Sequence, residues 1–388
     1  MKRNYEYIVL GLGGFGSAAA YWLSRRAGRD VLGLEQFELG HVRGESQDHS
    51  RIIRLSYHTS EYVELAKHAY RAWAEVERDA GEQLILRTGG LDFAPRVSAI
   101  PLVNYSSSMD AAGVAYETLD AEEIMRRWPS FRLTDDIHGL YQPESGIVMA
   151  ARANAAHQRM ARAHGAQLRE RVRVSDIYED GGEIVLEVDG AAHRCRKLII
   201  TAGAWSNQAL AFFDMRLPLT VTQEQVTYFA SPHIADFQPD RFPIWIWMDD
   251  PCFYGFPAFG EDGTKAGQDA GGREVTAESR SFEPDGPALQ RVQQFLGRYI
   301  PSALGPIIYT RTCLYTLTPD RDFVLDQVPG IPAAFLAIGG GHGFKFASLI
   351  GRILSELAVD GTTRHPLGTF RMDRAILQLE NPPKHYMV

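Results

Sequence analysis

The sequence has little cysteine, no excess of basic charge and no long apolar run, and each shortage excludes a class of protein. Only Cys195, Cys252 and Cys313 occur in 388 residues. None forms a C-x-x-C pair and an odd number cannot all pair, which argues against a disulfide framework and against a zinc site. Reduced thiols, and hence a cytoplasmic protein, are the expectation. Lys and Arg number 40 against 48 Asp and Glu, a formal charge of -8. That is the wrong sign for a chain that draws its affinity from neutralising phosphates, so nucleic acid is not an expected partner. No apolar run reaches the roughly 18 residues of a membrane helix. Met1-Lys2-Arg3 leads straight into an apolar strand with no signal-peptide core, so neither a membrane partner nor export is expected. What is present is an ordinary globular mixture, 45% hydrophobic and 23% charged, enough to bury a sizeable core in one large domain or two.

The chain opens in α/β grammar. Tyr7-Ile8-Val9-Leu10 is a short apolar run, 17–25 reads as a helix, and 30–35 as a second strand. This order is one βαβ unit with parallel strands. Another helical pattern runs over 62–77, with Val63, Leu65, Ala66, Tyr70 and Trp73 on one side. The middle is less regular: strand-like runs at 89–93, 137–142, 184–188 and 198–200, and helical patterns at 121–127 and 153–165. The stretch 217–257, rich in Val, Thr, Phe, Tyr and Trp and punctuated by prolines, predicts an antiparallel sheet. The polar, Gly-rich segment 260–280 reads as a long hairpin loop or a mobile flap. The end returns to α/β grammar, with a strand at 335–338, the turn Gly339-Gly340-Gly341 and a helix over 344–357. No repeat or low-complexity tract interrupts the chain.

Gly11-Leu12-Gly13-Gly14-Phe15-Gly16 fits G-x-G-x-x-G between strand and helix. Absent side chains at Gly11, Gly13, Gly14 and Gly16 let backbone N–H groups approach a pyrophosphate at the positive helix end. Glu35 ends the second strand, where an acidic side chain accepts hydrogen bonds from an adenosine ribose. The motif by itself does not separate FAD from NAD.

Three further stretches separate them. The segment from Glu45 to Arg54 (ESQDHSRIIR), then Cys313-Leu314-Tyr315-Thr316-Leu317-Thr318-Pro319-Asp320, then Gly339-Gly340-Gly341-His342-Gly343-Phe344-Lys345-Phe346 resemble the monomeric sarcosine oxidase and N-methyltryptophan oxidase family, in order and over nearly the whole chain. The resemblance implies an α/β plus antiparallel β architecture of the D-amino-acid-oxidase-like fold. A Rossmann-like FAD-binding domain (1–85, 145–216 and 316–388) would interleave with a mixed or antiparallel-sheet substrate domain (86–144 and 217–315). It further implies oxidation of a secondary amine to an imine, oxygen going to hydrogen peroxide, by a monomer or weak homodimer.

Residue by residue, the resemblance places Cys313 at the thioether link to the flavin 8α-methyl carbon, and a thiolate attacking an electrophilic flavin fits that role. Cys195 and Cys252 are expected to be structural. Arg54 and Lys345 fall on the substrate carboxylate, His342 near flavin and substrate, and Arg51 beside the flavin ring. Two fixed cations and a helix N-terminus suit an anionic amino acid, although either arginine could instead be a structural ion-pair partner. Lys265, following Phe253-Tyr254-Gly255-Phe256-Pro257-Ala258-Phe259-Gly260, matches the lysine that activates oxygen; a solvated hairpin lysine is the alternative. Tyr254 and Tyr315 match substrate-pocket aromatics, Gly341 a substrate contact. Ser50, Val174, Gly203, Gly341, Gly343 and Lys345 complete the cofactor-binding candidates.

Two positions depart from the family pattern. Asp269 stands where sarcosine oxidases carry a substrate-contacting histidine, and Gln47 where some relatives carry histidine. With Asp249, Asp250, Glu261 and Asp262 nearby in sequence, Asp269 raises the expectation of an acidic pocket mouth suited to a cationic or hydroxyl-rich substrate, or else a solvated acidic loop. No general base stands out. A fructosyl-amino-acid oxidase, an amine dehydrogenase and a non-catalytic flavin or nucleotide sensor are the competing functions.

Overall fold

Strand β1 (Asn4–Leu10) enters the glycine turn, helix α1 (Gly14–Ala27) follows, and β2 (Val31–Leu34) returns parallel to β1 with Leu34 level with Leu10. The computed structural model describes residues 2–385. Ile8 and Val9 point to opposite faces of β1 and both are fully buried, as in a parallel sheet covered on both sides. Helix α1 begins three residues before the apolar pattern does, because its first turn is built on small residues, with Gly14 and Gly16 buried. Small side chains also let the helix Ala347–Asp360 cross closely: a Cβ on Gly351 would stand 2.5 Å from Ala18.

Around this unit an eight-stranded sheet forms. Its parallel heart is Ala191–Ile200, β1, β2 and Gln167–Arg169, extended by Ala334–Ile338 beside Leu198 to Ile200. Val174–Asp180 and Glu183–Val188 add an antiparallel flank. The long helix Ser60–Ala80 is capped by the Thr59 hydroxyl, which accepts from the Tyr62 amide, and closes on Gly81 at φ +66°. Its Trp73 indole donates to the Lys345 carbonyl at 2.8 Å, so the predicted apolar side of this helix fixes the C-terminal glycine turn.

The second sheet has nine strands. Thr220–Phe229 pairs antiparallel with Ile307–Leu317 along its whole length, setting Glu224 across from Cys313, and with Thr264–Gln268 on its other side. Ile244–Trp247 pairs antiparallel with Phe253–Phe256 but parallel with Gly90–Pro95. The sheet is therefore mixed, where the composition of 217–257 predicts an antiparallel one; alternation signals a strand and carries no information about its partner. Ser50–Ile53, Gly146–Met149 and Ile85–Arg87 make a third, small sheet. The segment boundaries drawn at 85/86 and 315/316 fall inside strands Ile85–Arg87 and Ile307–Leu317.

The segment 260–280 is neither a loop throughout nor a flap. Thr264–Gln268 and Arg273–Val275 are both sheet strands, Lys265 is 3% exposed and Arg280 is buried. Its glycines serve close approach: a Cβ on Gly263 would lie 2.5 Å from the Phe229 carbonyl oxygen. Among the described residues no helix is long and apolar enough to cross a membrane.

Candidate active site

A cavity of about 1080 Å³ lies between the two large sheets, beyond the roughly 300–1,000 Å³ of pockets for drug-sized ligands. It runs from the β1–α1 turn and the end of β2, past the 339–345 glycine turn, to Tyr254, Lys265, Cys313 and Tyr315 of the second sheet. Every catalytic, substrate-binding and cofactor-binding candidate named above lines it except Gly16. That glycine stands behind the turn, where a Cβ would meet the Gly11 carbonyl oxygen at 1.7 Å, so its role is helix–strand packing.

The β1–α1 end fits a dinucleotide. Gly11 has φ +90°, and a Cβ there would come 2.7 Å from the Thr201 carbonyl oxygen. The N-cap of α1, Gly13, supplies no side-chain cap; among the described residues only Ser46 Oγ accepts from the Gly14 amide, at 2.8 Å. The helix end therefore keeps donors and positive potential for an anion. Glu35 accepts from the Leu12 amide at 2.8 Å and the Phe37 amide at 3.0 Å. Burial pushes its carboxyl pKa up, but His41 and these two amides outweigh burial and hold it below the ordinary range. A charged acceptor with spare lone pairs is what a ribose diol requires. Val174 and Gly203, the latter at φ +53°, wall the same end.

At the other end two ion pairs, each with a buried arginine, face a third cation. Arg54 Nη1 lies 3.1 Å from Asp92 Oδ1, and Arg321 Nη1 3.2 Å from Asp269 Oδ2. Both arginines are nearly inaccessible, and both line the cavity. Arg54 Nε has no hydrogen-bond partner among the described residues. Lys345 has no carboxylate partner among them either, and the Tyr57 ring lies 5.6 Å from its Nζ. Burial and then Arg54 push its pKa down to about 7. His342 Nε2 lies 2.9 Å from the Arg321 carbonyl oxygen. Burial first, with Arg321 and Lys345, lowers its pKa well below the usual value. The ring is therefore neutral, Nε2–H donates to that carbonyl, and Nδ1, without a partner among the described residues, remains an acceptor.

Between the two ends lie Arg51, Lys265 and Cys313. Arg51 is tethered by donating to the Ser50 carbonyl at 2.9 Å and the Glu45 carbonyl at 2.7 Å. Lys265 Nζ stands 2.6 Å from Asp48 Oδ2 and donates to Ser50. The lysine is buried rather than solvated. Burial pushes the Cys313 thiol up to about 12, against a lowering influence from Arg51. Cys195 sits in the core of the first sheet, while Cys252 also reaches the cavity.

The acidic group expected around Asp269 is not assembled. Asp269 alone of the five lines the cavity, and its charge is matched by Arg321. Asp249 Oδ1 accepts from the Ala99 amide, and Glu261 engages His49 and Tyr309. All five lie in the turns around strands Ile244–Trp247, Phe253–Phe256 and Thr264–Gln268 rather than on them, so closeness in sequence does not bring their side chains together. Sequence reasoning passes over Asp48, Asp92 and Arg321, which supply the charge partners. Asp48 lies inside the Glu45 to Arg54 stretch and Arg321 directly after Asp320, so motif adjacency is the signal that could have found them; Asp92 carries none.

A strand–glycine turn–helix cradle, a ribose-type carboxylate and a long cavity reaching a second sheet define a dinucleotide-dependent oxidoreductase. Residues 6–357 match the FAD dependent oxidoreductase family, and the chain belongs to it. It is 35% identical over 380 residues to the monomeric sarcosine oxidase of Streptomyces avermitilis, covering 95% of this chain and 97% of that one. It is 30% identical over 377 residues to the N-methyl-L-tryptophan oxidase of Salmonella heidelberg, covering 96% and 99%. Among solved structures it is similar to NikD, an amino acid oxidase of nikkomycin biosynthesis, with a TM-score of 0.84, 25% identity and 95% and 98% coverage.

Proposed function

We propose that the protein is an FAD-dependent oxidase of a secondary amine, an N-substituted or cyclic amino acid bearing one carboxylate, which yields an imine and hydrogen peroxide. The observation that carries the substrate class is the charge balance at the inner end. At this end Asp92 matches Arg54 and Asp269 matches Arg321, and among the described residues Lys345 is left without a carboxylate. A substrate monoanion neutralises it, with Arg54 Nε as a second donor. A second carboxylate on the substrate would find no further uncompensated cation at this end among the described residues.

The glycine turn, Glu35, Arg51 and Cys313 would hold the FAD, with Cys313 Sγ as a covalent attachment point. The redox chemistry would be supplied by bound FAD, as acceptor of a hydride equivalent from the substrate C–H bond and donor of the two electrons to oxygen. The chain's own residues do the rest. Lys345 and Arg54 fix the carboxylate, and His342 Nδ1 can accept from the amine N–H. The surrounding cations favour the neutral amine, the form able to become an imine. Lys265 supplies positive charge where oxygen takes up electrons.

Anaerobic mixing with sarcosine, N-methyltryptophan, pipecolate, proline, fructosyl glycine and iminodiacetate, followed by air, tests this reading. Bleaching by a monocarboxylate, with rapid recovery and peroxide in air, is the expected result. Preference for iminodiacetate would overturn the charge argument, preference for fructosyl glycine would move the substrate to a sugar amine, and slow recovery in air would make the enzyme a dehydrogenase.

The lowered pKa of Lys345 sets a pH dependence. Its positive charge is complete below its pKa and lost above it, so kcat/KM should acquire a descending limb starting near pH 7. A bound carboxylate favours the ammonium form, so the corresponding limb in kcat lies at higher pH. Lys345→Arg, charged throughout, should lack the limb. Steady-state profiles of both enzymes check this, and an identical limb in the two would remove Lys345 from the carboxylate site.

A further inference from the structure

The Lys265 ammonium donates two hydrogen bonds and makes one ion pair, and its three partners are all protein groups. They are the Ser50 carbonyl at 3.1 Å, Ser50 Oγ at 3.1 Å and Asp48 Oδ2 at 2.6 Å. Rings of Phe256 and Tyr228 flank the group, with centroids 4.5 and 5.7 Å from Nζ. Asp48 is placed unusually. Its φ is +81°, a backbone region that favours glycine, yet it carries a side chain that is itself buried. The backbone contact it makes, its carbonyl accepting from the Ala151 amide at 3.1 Å, needs no carboxylate. The carboxylate is used otherwise: Oδ2 on Lys265, and Oδ1 accepting from the Tyr228 hydroxyl at 2.9 Å.

We infer that Asp48 is a positioning residue for oxygen chemistry: its carboxylate keeps the Lys265 ammonium charged and fixed on the cavity wall through the neutral pH range. The inference rests on the oxidase reading above, in which Lys265 meets oxygen. The other charged or titratable groups facing the pair are few. They are Arg51 and Cys313 on the cavity side, Tyr228 and Tyr309 on the neighbouring strands, and Glu261, joined to His49 and Tyr309. Burial lowers the Lys265 pKa, Asp48 opposes it, Arg51 adds to it, and the balance stands at about 8. Removing the carboxylate leaves burial and Arg51 in place. The ammonium would then lose its proton at a lower pH, and the oxygen step, which needs the positive charge, would fall off at that lower pH.

Asp48→Asn and Asp48→Gly are the informative variants, since both residues tolerate positive φ. Asp48→Glu tests rescue of the charge, and Lys265→Met removes the titrating group. Each holoenzyme is reduced by light rather than substrate and mixed with air-saturated buffer over about pH 6 to 9. The oxidised forms are titrated over the same range by their visible flavin absorption, a readout independent of turnover. In the wild type both signals should break near pH 8. In Asp48→Asn and Asp48→Gly the break should move down by about one unit or more, so that reoxidation between the two breaks is about tenfold slower. Asp48→Glu should restore the break at least in part, and Lys265→Met should show none.

A break at the wild-type pH in both carboxylate-free variants, with flavin bound and the protein folded, would overturn the inference. Should Lys265→Met reoxidise as fast as the wild type, the oxygen role of Lys265 fails, and with it the functional half of the inference. The absorption break still decides the pairing itself: displaced in the variants it establishes the Asp48 clamp, undisplaced it refutes it.

Discussion

Cys313→Ser is expected to convert a protein that keeps its flavin through acid denaturation into one that releases all of it. Two cysteines reach the cavity, Cys252 and Cys313, so attachment has two candidate sulfurs. Burial raises the pKa of both thiols, and for each an arginine opposes the rise: Arg54 at Cys252, Arg51 at Cys313. At Cys313 Arg51 is the largest opposing influence, whereas at Cys252 the carboxylate of Asp269 adds to the rise before Arg54 subtracts from it. Thiolate, the nucleophilic form, is thus less disfavoured at Cys313. Glu224, directly across the strand pair from Cys313, has its own pKa raised to about 7 by burial, which limits the negative charge it sets against a thiolate at neutral pH. Trypsin should leave the yellow, fluorescent peptide running from Thr312 to Arg321, not the one from Phe242 to Lys265 that holds Cys252. Flavin retained by precipitated Cys313→Ser protein, or colour in the second peptide, would reject Cys313 as the attachment point.

What the sequence made legible was whatever is written in consecutive residues. The glycine turn with Glu35 fixes one βαβ unit and one end of the cavity because backbone conformation and close approach demand particular residues at fixed spacing. Arg51, Arg54, Lys265, Cys313 and Lys345, spread over almost three hundred positions, were drawn together only through a family likeness; no periodicity relates them. Pairing was not legible. Whether Ile244–Trp247 runs parallel or antiparallel to its neighbours depends on where Gly90–Pro95 arrives from the other half of the chain. The same holds for charge. Asp269 looked like part of an acidic cluster because its neighbours in sequence are acidic, but its neighbour in space is Arg321. For Lys265 the surrounding glycines leave a solvated hairpin lysine open as the alternative to the family likeness, and in the fold those glycines mark close strand packing around a buried cation.

Arg54 carries two roles at once, and one set of variants can separate them. The guanidinium neutralises buried Asp92 and also lines the substrate end of the cavity. Arg54→Met removes both functions. Breaking a buried pair by deleting one partner typically costs about 3–5 kcal/mol, because a charge is left without compensation. Loss of a charge-assisted contact to the substrate carboxylate should lower kcat/KM by about 10²–10³-fold, the equivalent of roughly 3–4 kcal/mol. Adding Asp92→Asn removes the stranded carboxylate. The double variant should therefore regain most of the lost thermal and urea stability while its kcat/KM stays at the level of Arg54→Met, since a neutral amide does nothing for the substrate anion. Asp92→Asn alone should keep substrate binding, because Arg54 then has more of its fork free for the ligand. If the double variant recovered activity together with stability, Arg54 would be a structural partner of Asp92 only, and the carboxylate would rest on Lys345 alone.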